Sequence, residues 1–308
     1  MKILVQSTGL DIVPGIIAEL KMHRPDWHYF AWPSNELCDY VVGWKPPAEL
    51  FVQQPRLKAV INYGAGVDAI LAMRAVPAHM PIIRLEDAGM AQQMAEYAMY
   101  GVIHHHRNMR VYAAQQLGKQ WQQHEDRGNV RRPTVGVMGL GEMGGTVATK
   151  LAAFGYSVRG WSRLKHETDN VLTFAGRDAL PTFLSGCDVL VSMLPLTEST
   201  RGIINATTLA QLPRGAFLVN AGRGGHLVDA DVLAALQSGQ LGGALLDVFH
   251  EEPLPKAHAY WSHPNVMVTP HIAATTPIKD ACTQIVAKIS ALERGEIVSG
   301  VVGPKLGY

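Results

Sequence analysis

Two α/β domains, each a parallel sheet doubly wound with helices, are predicted by three observations. The chain has 308 residues, too many for one small core and suited to two domains of ordinary size. Short β-branched runs alternate with amphipathic stretches along most of it, the pattern of βαβ units. One such run, Val135-Gly136-Val137-Met138, leads straight into Gly139-Leu140-Gly141-Glu142-Met143-Gly144 at the start of a helical pattern.

In the first domain, strands are expected at Ile3 to Val5, Tyr40 to Val42, Ala59 to Ile61 and Ile82 to Leu85. After the first of these, Ile12, Val13, Ile16, Ile17 and Leu20 recur at helical spacing. From about Gly89 to Gln116 the pattern becomes one long crossing helix that contains Met94, Tyr97, Ala98 and Gly101. The polar stretch Gly118 to Arg132, closed by Pro133, reads as an arm. A second series starts at Thr134, with strands expected at Val135 to Met138, Ser157 to Trp161, Val189 to Met193, Phe217 to Val219, Gly243 to Leu246 and Val266 to Val268. Six parallel strands suit a dinucleotide-binding fold. A helix from Pro277 to Leu292 and a tail ending at Tyr308 are expected to return the chain to the first domain. Residues 1–98 and 277–308 thus form a flavodoxin-like substrate domain and 99–276 a Rossmann-type cofactor domain, with ligands expected in a cleft between them.

Bulk composition narrows the function classes. With 27 Lys and Arg against 26 Asp and Glu the charges nearly cancel, and no basic stripe marks a nucleic-acid or anionic-membrane surface. A small molecule is the expected partner. Met1 to Val5 opens as a strand without a signal-peptide pattern, and no apolar run reaches membrane-spanning length, so a cytoplasmic location is expected. Cys38, Cys187 and Cys282 are far apart and odd in number, which fits core residues rather than disulfides or a thiolate cage. Three consecutive histidines, His104, His105 and His106, point to different faces of a helix and cannot share one ion from it. No metal is expected.

The glycine pattern has a physical rationale. Gly139 permits a tight turn, Gly141 lets the backbone approach a pyrophosphate, and Gly144 allows close helix packing. The helix N-terminus, with Glu142 and Met143 on its first turn, then faces the anion. Roughly 20 residues on, a chain that binds NAD carries an acid for the ribose hydroxyls; here stand Trp161-Ser162-Arg163, with Lys165 close behind. A hydroxyl and a guanidinium can hold a 2′-phosphate that a carboxylate would repel, so NADPH is expected in preference to NADH. The alternative is a solvated Ser-Arg turn.

Three residues in loops beyond successive strands suggest the chemistry. Arg223 in Asn220-Ala221-Gly222-Arg223-Gly224 offers a planar cation for a carboxylate. His271 in Thr269-Pro270-His271-Ile272 offers a proton donor. Glu252 in Asp247-Val248-Phe249-His250-Glu251-Glu252-Pro253 can orient the imidazole and favour its protonated form. Reduction of a 2-keto acid needs one of each. Singly, each has another reading: a surface charge, a helix-capping histidine, a loop acid. In the first domain, Gly64-Ala65-Gly66 ends a strand and opens a helix, so the amides of Ala65 and Gly66 can meet a small carboxylate, or simply form a tight turn. Trp44, Arg84 and Trp121 are either packing residues or walls of a small pocket.

Gly139-x-Gly141-x-x-Gly144, Asn220-Ala221-Gly222-Arg223-Gly224, Asp247-Val248-Phe249-x-x-Glu252-Pro253-Leu254-Pro255 and Pro270-His271-Ile272 together resemble the D-isomer-specific 2-hydroxyacid dehydrogenase family. Within it, the chain is similar to the glyoxylate/hydroxypyruvate reductase A type. The pointers are Val42-Gly43-Trp44-Lys45-Pro46-Pro47, Asn62-Tyr63-Gly64-Ala65-Gly66-Val67-Asp68, Arg84-Leu85-Glu86-Asp87, Trp161-Ser162-Arg163 and Gly307-Tyr308. The resemblance implies NADPH-dependent reduction of glyoxylate to glycolate and of hydroxypyruvate to D-glycerate, with Arg223, Glu252 and His271 catalytic. It also implies that Leu194, Pro195, Thr200, Ala221 and Gly222 line the cofactor and that Asp247 tunes the site near the nicotinamide carboxamide. From the residues alone, Leu-Pro is an ordinary strand exit and Asp247 could be a buried strand-end acid. The arm that carries Trp121 would embrace a second subunit of a homodimer. Competing readings are a phosphoglycerate or D-lactate dehydrogenase and a non-enzymatic corepressor of the C-terminal-binding-protein type, which shares the fold and the Arg/Glu/His order. The missing ribose-binding acid and the compact chain disfavour them.

Overall fold

The computed structural model describes residues 1–9, 11–123 and 131–303. Residues 124–130 of the expected arm and 304–308, including Gly307 and Tyr308, lie outside the described residues. The chain divides into two compact units, Met1–Met90 with Thr276–Tyr308, and Ala91–Thr275.

The first unit contains β1 (Lys2–Ser7), α1 (Val13–His23), β2 (His28–Ala31), β3 (Tyr40–Trp44), α2 (Ala48–Gln53), β4 (Ala59–Asn62), α3 (Asp68–Leu71) and β5 (Ile82–Arg84). All strands pair in parallel, in the order β2-β1-β3-β4-β5. This is the flavodoxin-like winding. Strands covered on both faces lack polar alternation, and Ile3, Leu4, Val5, Val41, Val42, Val60 and Ile61 are all fully buried. The C-terminal helix, Ile278–Glu293, buries Ala281, Cys282, Ile285 and Ile289 in this unit. The tail then pairs with β5: Arg84 N–H donates to Gly300 O at 2.9 Å and Val302 N–H to Ile82 O at 2.9 Å. The chain thus ends in the unit where it began.

The second unit begins with α4 (Met90–His106) and α5 (Met109–Leu117), continues through β6 (Val135–Met138), α6 (Glu142–Ala153), β7 (Val158–Ser162), β8 (Val171–Ala175), α7 (Leu180–Leu184), β9 (Val189–Ser192), α8 (Ala206–Leu209) and β10 (Ala216–Asn220), and ends with α9 (Asp229–Gln237), β11 (Leu241–Leu246) and β12 (Val266–Val268). Its sheet has seven parallel strands in the order β12-β11-β10-β9-β6-β7-β8. Counting strands within the unit gives 7-6-5-4-1-2-3, the doubly wound Rossmann order with one extra edge strand. The direction of winding reverses between β6 and β9, and ligands of such sheets bind outside the carboxyl ends near that point.

Two expectations need correction. The second sheet has seven strands rather than six, with β8 added at its edge, and the first sheet has five rather than four, with β2 added at its edge. Both are edge strands with partly exposed residues, so neither carries the apolar run that marks a buried strand. The single helix expected from Gly89 to Gln116 is broken at Asn108, which takes φ 53°. Asparagine is among the few residues that tolerate this left-handed region.

All three cysteines are free and buried. Burial pushes the Cys38 thiol up to about 11 and the Cys187 and Cys282 thiols up to about 12. The three adjacent histidines take different partners: the His104 ring meets Tyr100, His105 stacks on Phe217, and His106 Nδ1 lies 3.1 Å from the Tyr156 hydroxyl. Among the described residues no cluster of His, Cys, Asp or Glu could hold a metal ion, and no helix is long and apolar enough to cross a membrane.

Candidate active site

The turn after β6 is built as its glycines require. Gly139 has φ +96° and donates its N–H to Trp161 O at 2.7 Å. Gly144 packs so closely that an added Cβ would lie 1.7 Å from Gly139 O, a contact no side chain could survive. Around Gly141, by contrast, an added Cβ would have no atom within 4 Å. Gly141 is the N-cap of the twelve-residue α6, whose first-turn amides receive no side-chain cap. The first-turn amides of a positive helix end beside that open position fit a phosphate group. The donor chemistry therefore suits a dinucleotide.

At the end of β7, Trp161 is buried and its indole N–H donates to Gly176 O at 2.8 Å. Ser162 is buried as well, and its hydroxyl donates to Leu164 O at 2.6 Å. These two residues shape the turn; Arg163 and Lys165 are exposed on it, with Lys165 Nζ 3.6 Å from Glu167. The residues that directly follow the strand, 163 to 165, include no carboxylate. After β9, Leu194 is buried, and Thr200 closes the loop by donating its hydroxyl to Pro195 O at 2.7 Å while accepting from Thr197 N–H at 2.8 Å. An added Cβ on Gly222 would lie 3.2 Å from Leu194 O, so buried Ala221 and Gly222 run beside this loop.

Three neighbouring strands bring Arg223, Asp247 and His271 to one level. Asn220 of β10 is paired with Leu246 of β11, and Leu246 with Val268 of β12. Arg223, Asp247 and His271 therefore leave the sheet at one edge within three residues of the same register. The Arg223 loop is held by three contacts. Asn220 Nδ2 donates to Arg223 O at 3.1 Å, Gly222 N–H donates to Asn220 Oδ1 at 3.3 Å, and Arg223 N–H donates to His226 Nδ1 at 3.2 Å. Buried His226, which the motifs did not mark, is thereby fixed with Nδ1 as acceptor. The Arg223 and Glu252 loops touch through backbone: an added Cβ on Gly224 would lie 1.9 Å from Phe249 C.

His271 Nδ1 lies 2.8 Å from Glu252 Oε2, while Glu252 Oε1 accepts from Phe249 N–H at 3.0 Å. A carboxylate can only accept, so Nδ1 carries a hydrogen and any proton given to a ligand comes from Nε2 of the imidazolium. Both glutamate oxygens are used, which fixes the ring plane. Asp247 is fully buried and takes three donors: Thr269 Oγ1 at 2.6 Å, Ile272 N–H at 2.8 Å and Ala273 N–H at 2.9 Å. Its carboxylate thus holds the loop on which His271 sits.

Within the first unit, Gly43 of β3, Asn62 of β4 and Arg84 of β5 are paired across the sheet, so Trp44, Gly64-Ala65-Gly66 and Arg84 share one carboxyl edge. Buried Asn62 donates its amide to Gly64 O and Gly66 O, each at 3.0 Å. The Trp44 ring packs on Gly64, where an added Cβ would come 2.8 Å from its Cζ3. The following helix, α3, has only four residues, so the loop amides of Ala65 and Gly66, rather than a helix field, are what this turn offers an anion. Trp121 is 96 % exposed beyond α5.

Comparison with known proteins bears on this geometry. Residues 99–273 match the family model of the D-isomer specific 2-hydroxyacid dehydrogenase, NAD binding domain. The chain is 45 % identical over 299 residues to a glyoxylate/hydroxypyruvate reductase A from Serratia proteamaculans, covering 95 % of each. Among solved structures, a D-isomer specific 2-hydroxyacid dehydrogenase from Xanthobacter autotrophicus in complex with NADPH and MES is 40 % identical with a TM-score of 0.93, covering 99 % of both chains. An NADPH-dependent glyoxylate/hydroxypyruvate reductase from Sinorhizobium meliloti, in complex with NADP and sulfate, is 36 % identical with a TM-score of 0.92, covering 100 % of this chain and 99 % of that one.

Proposed function

Because the chain belongs to the D-isomer-specific 2-hydroxyacid dehydrogenase family, we propose that it reduces glyoxylate to glycolate and hydroxypyruvate to D-glycerate at the expense of NADPH. The observation that carries this reading is the His271 Nδ1 to Glu252 Oε2 contact of 2.8 Å at the edge where Arg223 leaves its strand. Absorbance decay of NADPH on addition of glyoxylate tests it, and no decay with any small keto acid would refute it.

The glycine loop Gly139 to Gly144 would hold the pyrophosphate, and Arg163 and Lys165 would hold the 2′-phosphate. Leu194, Pro195 and Thr200 would line the nicotinamide side with Ala221 and Gly222. When bound, NADPH would supply a hydride for the carbonyl carbon. Arg223 binds the carboxylate of the keto acid and polarises the adjacent carbonyl, because its guanidinium stays charged and forked. His271 passes the Nε2 proton to the carbonyl oxygen as that oxygen gains charge. Glu252 accepts the Nδ1–H throughout and offsets the positive imidazolium. Trp44, Ala65, Gly66 and Arg84 would be the substrate-binding residues of the first unit, where the two loop amides offer donors to a carboxylate.

Arg163→Ala is expected to weaken NADPH binding about ten- to hundredfold while affecting NADH little, the value of one charged hydrogen bond. An unchanged NADPH/NADH ratio in that variant would remove Arg163 from the 2′-phosphate.

A cytosolic homodimer belongs to the same proposal. Helix α5 buries none of its residues, and Met109 and Leu117 are exposed on it ahead of exposed Trp121. A second copy covering this apolar surface accounts for that composition. Sedimentation at the mass of a monomer would exclude the dimer.

A further inference from the structure

Behind the Glu252–His271 pair stands a line of hydrogen bonds that reaches helix α4. Thr269 Oγ1 donates to Asp247 Oδ1 at 2.6 Å, and the Tyr97 hydroxyl lies 2.6 Å from the same Thr269 Oγ1. A threonine hydroxyl has one proton. Since that proton goes to the carboxylate, the Tyr97 contact is donated by the phenol. Burial, reinforced by the Asp247 charge, raises the Tyr97 phenol far above its ordinary range, so it keeps that proton.

The line ends on the backbone of the proton donor. Asp247 Oδ1 and Oδ2 accept from Ile272 N–H and Ala273 N–H, and Asp247 O accepts from His271 N–H at 2.9 Å. His271 itself has φ 55°, in the left-handed region that a residue with a side chain rarely enters unless its surroundings hold it there. Glu252 fixes the ring of His271, but nothing in Glu252 fixes the backbone; that task falls to Asp247 and the groups that orient it.

We infer that Tyr97 and Thr269 are positioning residues for catalysis: the donor chain Tyr97 to Thr269 to Asp247 holds segment 271–273 so that His271 keeps its Nδ1 on Glu252 and presents Nε2 to the substrate. The inference rests on His271 as proton donor. A lost hydrogen bond in the chain loosens a group that acts only in the transition state, so it lowers kcat and leaves KM in place.

Tyr97→Phe keeps the ring and removes the donor. In the full chain with NADPH and glyoxylate, kcat is expected to fall about fivefold, as for one neutral hydrogen bond. KM for glyoxylate and NADPH affinity, read by fluorescence titration, should both stay within about twofold, since neither contact is altered. Thr269→Val breaks two links and should cost more in kcat, and Thr269→Ser, which restores the hydroxyl, should recover most of the loss. Combined with Thr269→Val, Tyr97→Phe should cost nothing further, because the line is already cut. An unchanged kcat in Tyr97→Phe, or losses that multiply in the double variant, would overturn the inference. Full activity in His271→Ala would overturn the donor reading beneath it, whereas an inactive His271→Ala beside a fully active Tyr97→Phe would remove the relay alone.

Discussion

Replacing His271 with alanine is expected to lower kcat for glyoxylate reduction by about 10²- to 10⁴-fold, the usual contribution of a positioned general acid. NADPH affinity should be unchanged, because the glycine loop proposed for the pyrophosphate and Arg163 follow other strands. Steady-state rates paired with fluorescence titration of NADPH measure both quantities, and full turnover would refute the role. Since His271 has φ 55°, alanine there also strains the backbone. His271→Asn, which tolerates that conformation, separates loss of the proton from loss of the loop and should be nearly as inactive.

Arg223→Lys keeps the charge and removes the fork, and is expected to cost about 10²- to 10³-fold in kcat/KM. A lysine at this position offers a carboxylate a point charge rather than a planar fork, which leaves the substrate free to rotate in a plane that guanidinium closes. The loop itself should persist, because Asn220, Gly222 and His226 hold its backbone through the main-chain N–H and C=O of residues 222 and 223. Near-wild-type kcat/KM in Arg223→Lys would show that charge alone suffices; Arg223→Ala, which loses both, should be lower still.

Much of this was legible in the sequence because the signals are local. Val135 to Met138 is buried on both faces and reads as a strand without alternation, and Gly144 after it is required by its contact with Gly139 O five residues earlier. Asn220-Ala221-Gly222-Arg223-Gly224 marks both a reactive side chain and the glycine that lets its loop press on Phe249. What escaped depends on neighbours distant in sequence. Strands β2 and β8 are recognisable only by the strand beside them. Asp247 was open between a cofactor contact and a buried strand-end acid, and its three donors come from residues 269 to 273, more than twenty positions on. The contact of the Ser162 hydroxyl with Leu164 O has no mark in the sequence. Tyr97 looked like one more apolar position on a helix, and its hydroxyl acquires meaning only where α4 meets the exit of β12.

The pairing of Asn220, Leu246 and Val268 across β10, β11 and β12 sets a mechanical tolerance on catalysis. Slipping one of these strands by a single residue would displace its loop by about 3.3 Å and turn every side chain to the opposite face. A hydrogen bond tolerates only a few tenths of an ångström around its preferred length. The alignment of Arg223 with His271 is therefore machined by side chains that never meet a ligand, Leu218, Val219, Leu245 and Leu246 among them, all fully buried in the sheet. The loops above can change which acid is accepted, but the gauge against which they are measured lies in the core.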